Sequence, residues 1–197
     1  YRYFYIYAPD YYVWPLEVHY LNFIENIDPE PTKENIKNLV RDFVEKNSAI
    51  NKLSESFQKK YTISAVEELN KYLNKPPREV KKEILKYWNT WDNYSLSIMY
   101  LKYIDLLFGK DTQIEDNKYI KFMIQIMLQN IHPNPKRRIS VKKNIELVEN
   151  FMTETNSMRD FEGLINEISL NKDEIIKKTL KNKKTMTKLT KKILSKK

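Results

Sequence analysis

Apolar positions recur along this chain at a helical period. Ile36, Leu39, Val40, Phe43 and Val44 fall at i, i+3, i+4, i+7 and i+8, the spacing that gives a helix one buried face. Ile50, Leu53 and Phe57 repeat it in part. Ser64 followed by Glu67 has the form of a capping box, which predicts a helix carrying Val66, Leu69, Tyr72 and Leu73. "KPPRE" ends that helix, and Pro76 or Pro77 fits the first turn of the next, with Val80, Ile84 and Trp88 turned inward.

Two later stretches differ in pattern. "TWDNYSLSIMYLKYIDLLF", residues 90–108, and "NKYIKFMIQIMLQNI", residues 117–131, are apolar on most sides, which predicts two helices enclosed by protein. The polar "GKDTQIEDN" connects them. "HPNPKRR" is a proline-bounded turn, after which Ser140 can cap a helix containing Val141, Ile145, Leu147, Val148 and Phe151. At the other end, "YRYFYIYAPDYYVWPLEVHYLNFI" is dense in aromatics and broken by Pro9 and Pro15. That composition predicts an extended segment entering a helix at about Leu16, with "DPEPT" as the loop beyond it. The fold class expected is mainly α, without internal repeats.

Composition narrows the chemistry. At 197 residues the chain suffices for one domain with a sizeable core. It has no cysteine, which excludes disulfides, thiolate zinc sites and a cysteine nucleophile and fits a reducing compartment. His19 and His132 lie too far apart to form a metal motif, so no metal site is expected. No stretch reaches the roughly 20 apolar residues of a membrane span. The chain opens on Tyr1 and reads as a piece of a longer protein. Glycine occurs only twice, while lysine, asparagine, isoleucine and tyrosine abound, as in an AT-rich genome.

Charge is concentrated at one end. Against 26 acids stand 35 basic residues, a net +9, but ten lysines and no acid fall between Lys177 and Lys197, leaving 25 against 26 elsewhere. Lys177, Lys178, Lys181, Lys183, Lys184, Lys188, Lys191 and Lys192 are therefore the candidate polyanion contacts. The tail has no arginine and no aromatic, so any nucleic-acid binding would be nonspecific and weakened by salt. A solvated, unpartnered tail is the alternative. His132 before Pro133 reads as a turn residue, Met123 and Met127 as packing, and Asp105 as part of a solvated face.

Three blocks in order carry a resemblance. "DNYSLSIMYLKYI" resembles the Asp-x-Tyr/Trp-Ser-x-Gly start of the central C-lobe helix of eukaryotic-type serine/threonine protein kinases, with Asp92, Tyr94 and Ser95 matching and Ser97 in place of glycine. "IQIMLQNIHPNPKRRISVKKNIE" resembles that family's later Met-Leu helix, proline turn and arginine, and "YYVWPLEVHYLNF" its activation-segment end. The resemblance implies that residues 1–155 form a kinase-like C-lobe portion, with 32–88 a helical insertion, 156–176 a helical extension and 177–197 a basic tail. It also implies that Asp92 is buried beneath a catalytic loop, that Glu17 pairs with Arg138, and that Tyr11, Tyr12, Val13 and Trp14 line a peptide groove.

The chain departs from the pattern in several places. Aligning Pro15 puts Leu16 where the glutamate belongs, and aligning Glu17 leaves the proline one place early; a single inserted residue reconciles them. Glu17 and Asp92 stand 75 positions apart, farther than is usual in the family, and no threonine precedes Pro15. The glycine-rich phosphate cover, the strand lysine, the His-Arg-Asp loop and the Asp-Phe-Gly metal ligand are all missing from the sequence. By resemblance the chain is similar to the kinase-like proteins of large nucleocytoplasmic DNA viruses, iridovirus-type relatives included. Two functions are expected from this. One is the C-lobe part of a viral kinase that would use ATP and magnesium in a complete protein and act on a protein substrate. The other is an inactive kinase-like scaffold that binds virion proteins, in the virion or the host cytoplasm. This chain alone has no catalytic residues to assign and is expected to hold no cofactor.

Overall fold

The computed structural model describes residues 8–108, 117–155, 158–174, 176–177 and 180–181. Among them are eight α-helices and no strand: α1 Leu16–Asn26, α2 Lys33–Lys46, α3 Glu55–Asn70, α4 Pro77–Ile84, α5 Trp91–Phe108, α6 Lys118–Asn130, α7 Val141–Thr155 and α8 Met158–Leu170. The expected all-helical character is therefore present. The segment before Ala8 and most of "GKDTQIEDN" lie outside the described residues, as do Lys178, Lys183, Lys184, Lys188, Lys191 and Lys192. Lys177 and Lys181 are helical and exposed.

Local chemistry sets most of the boundaries. Pro15, with no N–H to lose, precedes the first turn of α1. Thr32 and Asn35 form a reciprocal cap on α2: the Thr32 hydroxyl accepts from the Asn35 amide, and the Asn35 side chain accepts from the Thr32 amide. Pro77 occupies the first position of α4, where a missing N–H costs nothing. Asn117 caps α6, and Ser140 accepts from the Lys143 amide at the start of α7. Asn74, between α3 and α4, takes the left-handed conformation at φ 60°, which asparagine tolerates better than most residues.

Three expectations need correction. Ser64 caps nothing, because it lies inside α3; that helix begins at Glu55, capped by Ser54, whose hydroxyl accepts from the Phe57 amide. No breaker stands between Ser54 and Ser64, so the helix starts at the earlier serine. Trp88 faces outward, 66% exposed. After Ile84 the chain tightens into a 3₁₀ segment, Leu85–Thr90, and at about 120° per residue the fourth residue on is turned about 80° from its α-helical position. Finally, α5 is not enclosed. Trp91, Tyr94, Ile98 and Leu101 are buried, but Leu96, Met99, Tyr100 and Tyr103 are 41–50% exposed.

The stretch expected as an insertion does not form a body of its own. Ile36, Val40, Phe43 and Val44 of α2, Tyr61, Ala65 and Leu69 of α3, and Val80 and Ile84 of α4 join one core cluster. Val18 and Leu21 of α1 and Tyr94 and Ile98 of α5 belong to that same cluster. The α2 and α3 helices pack on each other and against α1, and α6 packs on α5. Outer helices are thinner in contact: α7 buries none of its residues and is held through Phe151, whose ring stacks on Phe122 at 4.0 Å.

The displaced start of α3 is testable by denaturant unfolding. Ser54→Ala should cost about 1 kcal/mol, the usual value of a lost cap, whereas Ser64→Ala should change stability by less than about 0.5 kcal/mol.

Candidate functional site

The best-built polar site joins residues 121 positions apart. Arg138 Nη1 donates to Glu17 Oε1 at 2.6 Å and Nη2 to Oε2 at 2.8 Å, a bidentate pair whose side chains are 1% and 4% exposed. Other partners take up most of its remaining capacity. Trp91 Nε1 donates to Glu17 at 3.1 Å, Arg138 Nε donates to the His132 carbonyl at 2.8 Å, and Nη1 also reaches the Thr90 hydroxyl at 3.1 Å. The guanidinium lies over the Tyr94 ring, 4.8 Å from its centroid. Burial works against the charged guanidinium, but Glu17 more than offsets it and holds Arg138 above its usual value.

Each partner arrives by a different route. Glu17 lies in the first turn of α1, Thr90 and Trp91 sit where the 3₁₀ segment becomes α5, and Arg138 follows the short 3₁₀ turn Pro135–Arg137. His132 belongs to this turn and has a turn's role: its Nδ1 accepts from the Asn134 amide at 2.9 Å. Tyr94 and Tyr61 lie beside the pair in the dry interior, where burial raises both phenols far above their ordinary range. Glu17, Arg138 and Tyr94 fall in the blocks that carry the family resemblance as matched positions, and Trp91 and Thr90 do not. No motif singles out those two.

Asp92 departs from expectation. It is exposed in the first turn of α5, and among the described residues none donates to its carboxylate. The helix dipole favours a carboxylate there without any need to bury it. Ser95 does engage, but with the Tyr11–Trp14 segment: its hydroxyl donates to the Val13 carbonyl at 2.8 Å. Lys102 Nζ donates to the Tyr12 hydroxyl at 3.2 Å and lies 4.3 Å above the Tyr12 ring. From the opposite side, Asn47 Nδ2 donates to the Tyr12 carbonyl at 3.1 Å. Tyr11 is exposed and meets Trp14 edge to face at 4.9 Å. Lys102 and Asn47 leave no mark in the sequence, since a lone lysine and a lone asparagine carry no pattern.

Ser97, standing where the resemblance has glycine, is buried and bridges two helices. Its hydroxyl donates to the Asn93 carbonyl and accepts from Asn130 Nδ2 at 3.1 Å, and Asn144 in turn donates to Asn130. A cavity of about 600 Å³ opens elsewhere, between the loops 28–32 and 74–77, over Tyr20 and Tyr72, whose rings stack at 5.8 Å. Burial pushes the Tyr20 phenol up to about 12 and Tyr72 further, so both stay neutral near physiological pH.

Among the described residues no cluster of three or more His, Asp or Glu could hold a metal ion. No described helix is long and apolar enough to cross a membrane. No family model matches the sequence, and neither a curated protein nor a solved structure matches it.

Two measurements probe this region. Glu17→Gln leaves the guanidinium buried without its counter-charge and should cost about 3–5 kcal/mol in denaturant unfolding. Combining Glu17→Met with Arg138→Met should cost less than the two single changes added together. Acid stability reports on His19, which is buried between Trp14 and Phe43 with an unpartnered Nε2. Burial lowers its imidazole to about 4, and contacts with the backbone of Tyr11 and Trp14 oppose the shift without cancelling it. Below pH 6.5 the unfolded chain takes up a proton that the folded chain refuses. Stability is therefore full above pH 6.5 and falls, by on the order of 3 kcal/mol, as the pH drops towards 4. The difference between the native chain and His19→Phe, followed from pH 7.5 to 4, should show that loss.

Proposed function

We propose that this chain is the C-lobe part of a viral serine/threonine protein kinase, which transfers phosphate from ATP to protein hydroxyls with catalytic motifs supplied by sequence outside it. The observation that carries the reading is the buried Glu17–Arg138 pair, which joins the two residues named by the resemblance across 121 positions. Tyr94, in the matched "DNYS" block, packs against that pair, and Ser95 of the same block holds the backbone of Val13. In this reading Tyr11–Trp14 faces the substrate peptide, fixed by Ser95 and Lys102. Asp92 and the open apolar stripe Leu96, Met99, Tyr100 and Tyr103 are the surface onto which a catalytic loop would fold. The chain's own part is to bind and orient a peptide, not to move a proton or a phosphate.

A second reading has support in the same stripe. An exposed row of large side chains on a stable helix, together with exposed lysines at positions 177 and 181, also suits a kinase-like scaffold docked on other proteins of a particle.

Phosphotransfer separates the two. The complete protein, incubated with radiolabelled ATP, magnesium and a serine-containing protein substrate, should label the substrate, and this chain alone should not. Failure of the complete protein to bind nucleotide at micromolar levels, with constant stoichiometry in purified particles, would establish the scaffold and overturn the kinase reading.

A further inference from the structure

The C-terminal end of α2 reaches the segment around Tyr11–Trp14, through Asn47 to Tyr12 and through Lys46 to Asp10. Asn47, 1% exposed at the C-terminal end of α2, works in two directions. Its Nδ2 donates to the Tyr12 carbonyl at 3.1 Å, while its Oδ1 accepts from the Ala49 and Ile50 amides at 3.1 and 3.0 Å. One side chain thus ties the segment to the turn that joins the two helices. Next to it, Lys46 lies 3.8 Å from the Asp10 carboxylate.

Aromatic contacts run along the same path. Trp14 meets His19 at 6.1 Å, His19 meets Phe43 of α2 edge to face at 5.0 Å, and Phe43 stacks with Tyr61 of α3 at 6.5 Å. The turn is stiff: Asn51 Nδ2 donates back to the Glu45 carbonyl, and Gln58 Nε2 donates to the Leu53 carbonyl at 2.7 Å. A rigid element carrying a buried donor aimed at a loop carbonyl is what positioning a recognition loop requires.

We propose that α2–α3 is a built-in brace that sets the conformation of Tyr11–Trp14, with Asn47 as its positioning residue. The proposal rests on the reading of that segment as peptide-facing. It assigns to the added helices a role in presenting the segment: it is held from the α5 side by Ser95 and Lys102, and from the other by Asn47. Peptide recognition would then be set by the chain's own fold.

Hydrogen exchange on the whole chain tests this through two variants. Asn47→Asp and Asn47→Ser both keep an oxygen for the Ala49 and Ile50 amides but break the bond to Tyr12, the first by losing the donor and the second because its hydroxyl sits one bond closer to the backbone. The amides of Tyr11, Tyr12 and Trp14, which donate to Ala8, Asp10 and Tyr11, should exchange about tenfold faster, with Ala49 and Ile50 unchanged. Unchanged exchange at 11–14, or equal loosening at both places, overturns the proposal. So does loss of the folded state in both variants, which would make Asn47 a core residue. In the complete protein the same variants should raise the peptide KM about tenfold with kcat held within about twofold. Loosened exchange in a protein without phosphotransfer would keep the brace and remove the kinase reading.

Discussion

The structure depends on one buried ion pair. Taking a carboxylate and a guanidinium out of water costs several kcal/mol each, which is recovered only if both are fully coordinated. Here every buried lone pair or N–H left without a partner would be a penalty, and the fold leaves few: Trp91, Thr90 and the His132 carbonyl surround Glu17 and Arg138. Because those partners come from α1, from the junction into α5 and from the turn after α6, the pair restricts how the three can meet. It contributes specificity of arrangement more than net stability. A slip of α1 by one residue would carry Glu17 round by about 100° and strand the guanidinium in apolar surroundings.

That constraint also explains why the helices between residues 33 and 84 belong to the core. The ion pair needs a dry surround, and Tyr61 of α3, beside Tyr94, supplies part of it. The two phenols adjoin each other as well as the ion pair, and their bulk keeps water from the charges. Removing α2 and α3 would therefore wet Glu17 and Arg138 as well as uncover Phe43 and Tyr61. The same packing brings His19 under the Tyr11–Trp14 segment as a neutral base, since burial disfavours its charged form.

The parts of this fold that were legible from sequence are those decided within a few residues. The α2 face follows from the 3–4 spacing of Ile36, Val40, Phe43 and Val44, and the starts of α1, α4 and α7 follow from Pro15, Pro77 and Ser140. What failed needed information from farther away. Ser64 matched a cap pattern that Ser54 had already pre-empted, and Trp88 lost its inward place to a change of helical pitch that periodicity assumes away. The burial of α5 failed because an apolar residue states a preference, and whether it is met depends on which segments arrive to cover it. Leu96 and Tyr100 have the same composition whether or not anything lies over them. In the candidate site, Glu17 and Arg138 were reached through a family pattern, while Trp91, Lys102 and Asn47 act through contacts that span up to 90 positions and leave no local mark.

Tyr12 shows what the two supports do jointly. Its carbonyl is held by Asn47 from α2, and its hydroxyl by Lys102 from α5, so backbone and side chain are fixed to different helices. A hydroxyl bond alone would let the backbone pivot about the side chain, and a carbonyl bond alone would leave the ring free to rotate. With both made, and with Ser95 on the next carbonyl, neither motion is open without breaking a bond worth about 1 kcal/mol or more. The relative placement of α2 and α5 thus becomes the variable that sets the segment, and that placement is in turn set by the core they share with Glu17. The ion pair, the aromatic path and the exposed Tyr11 face are consequently one mechanical unit, in which a change at the buried end alters the surface offered at the other.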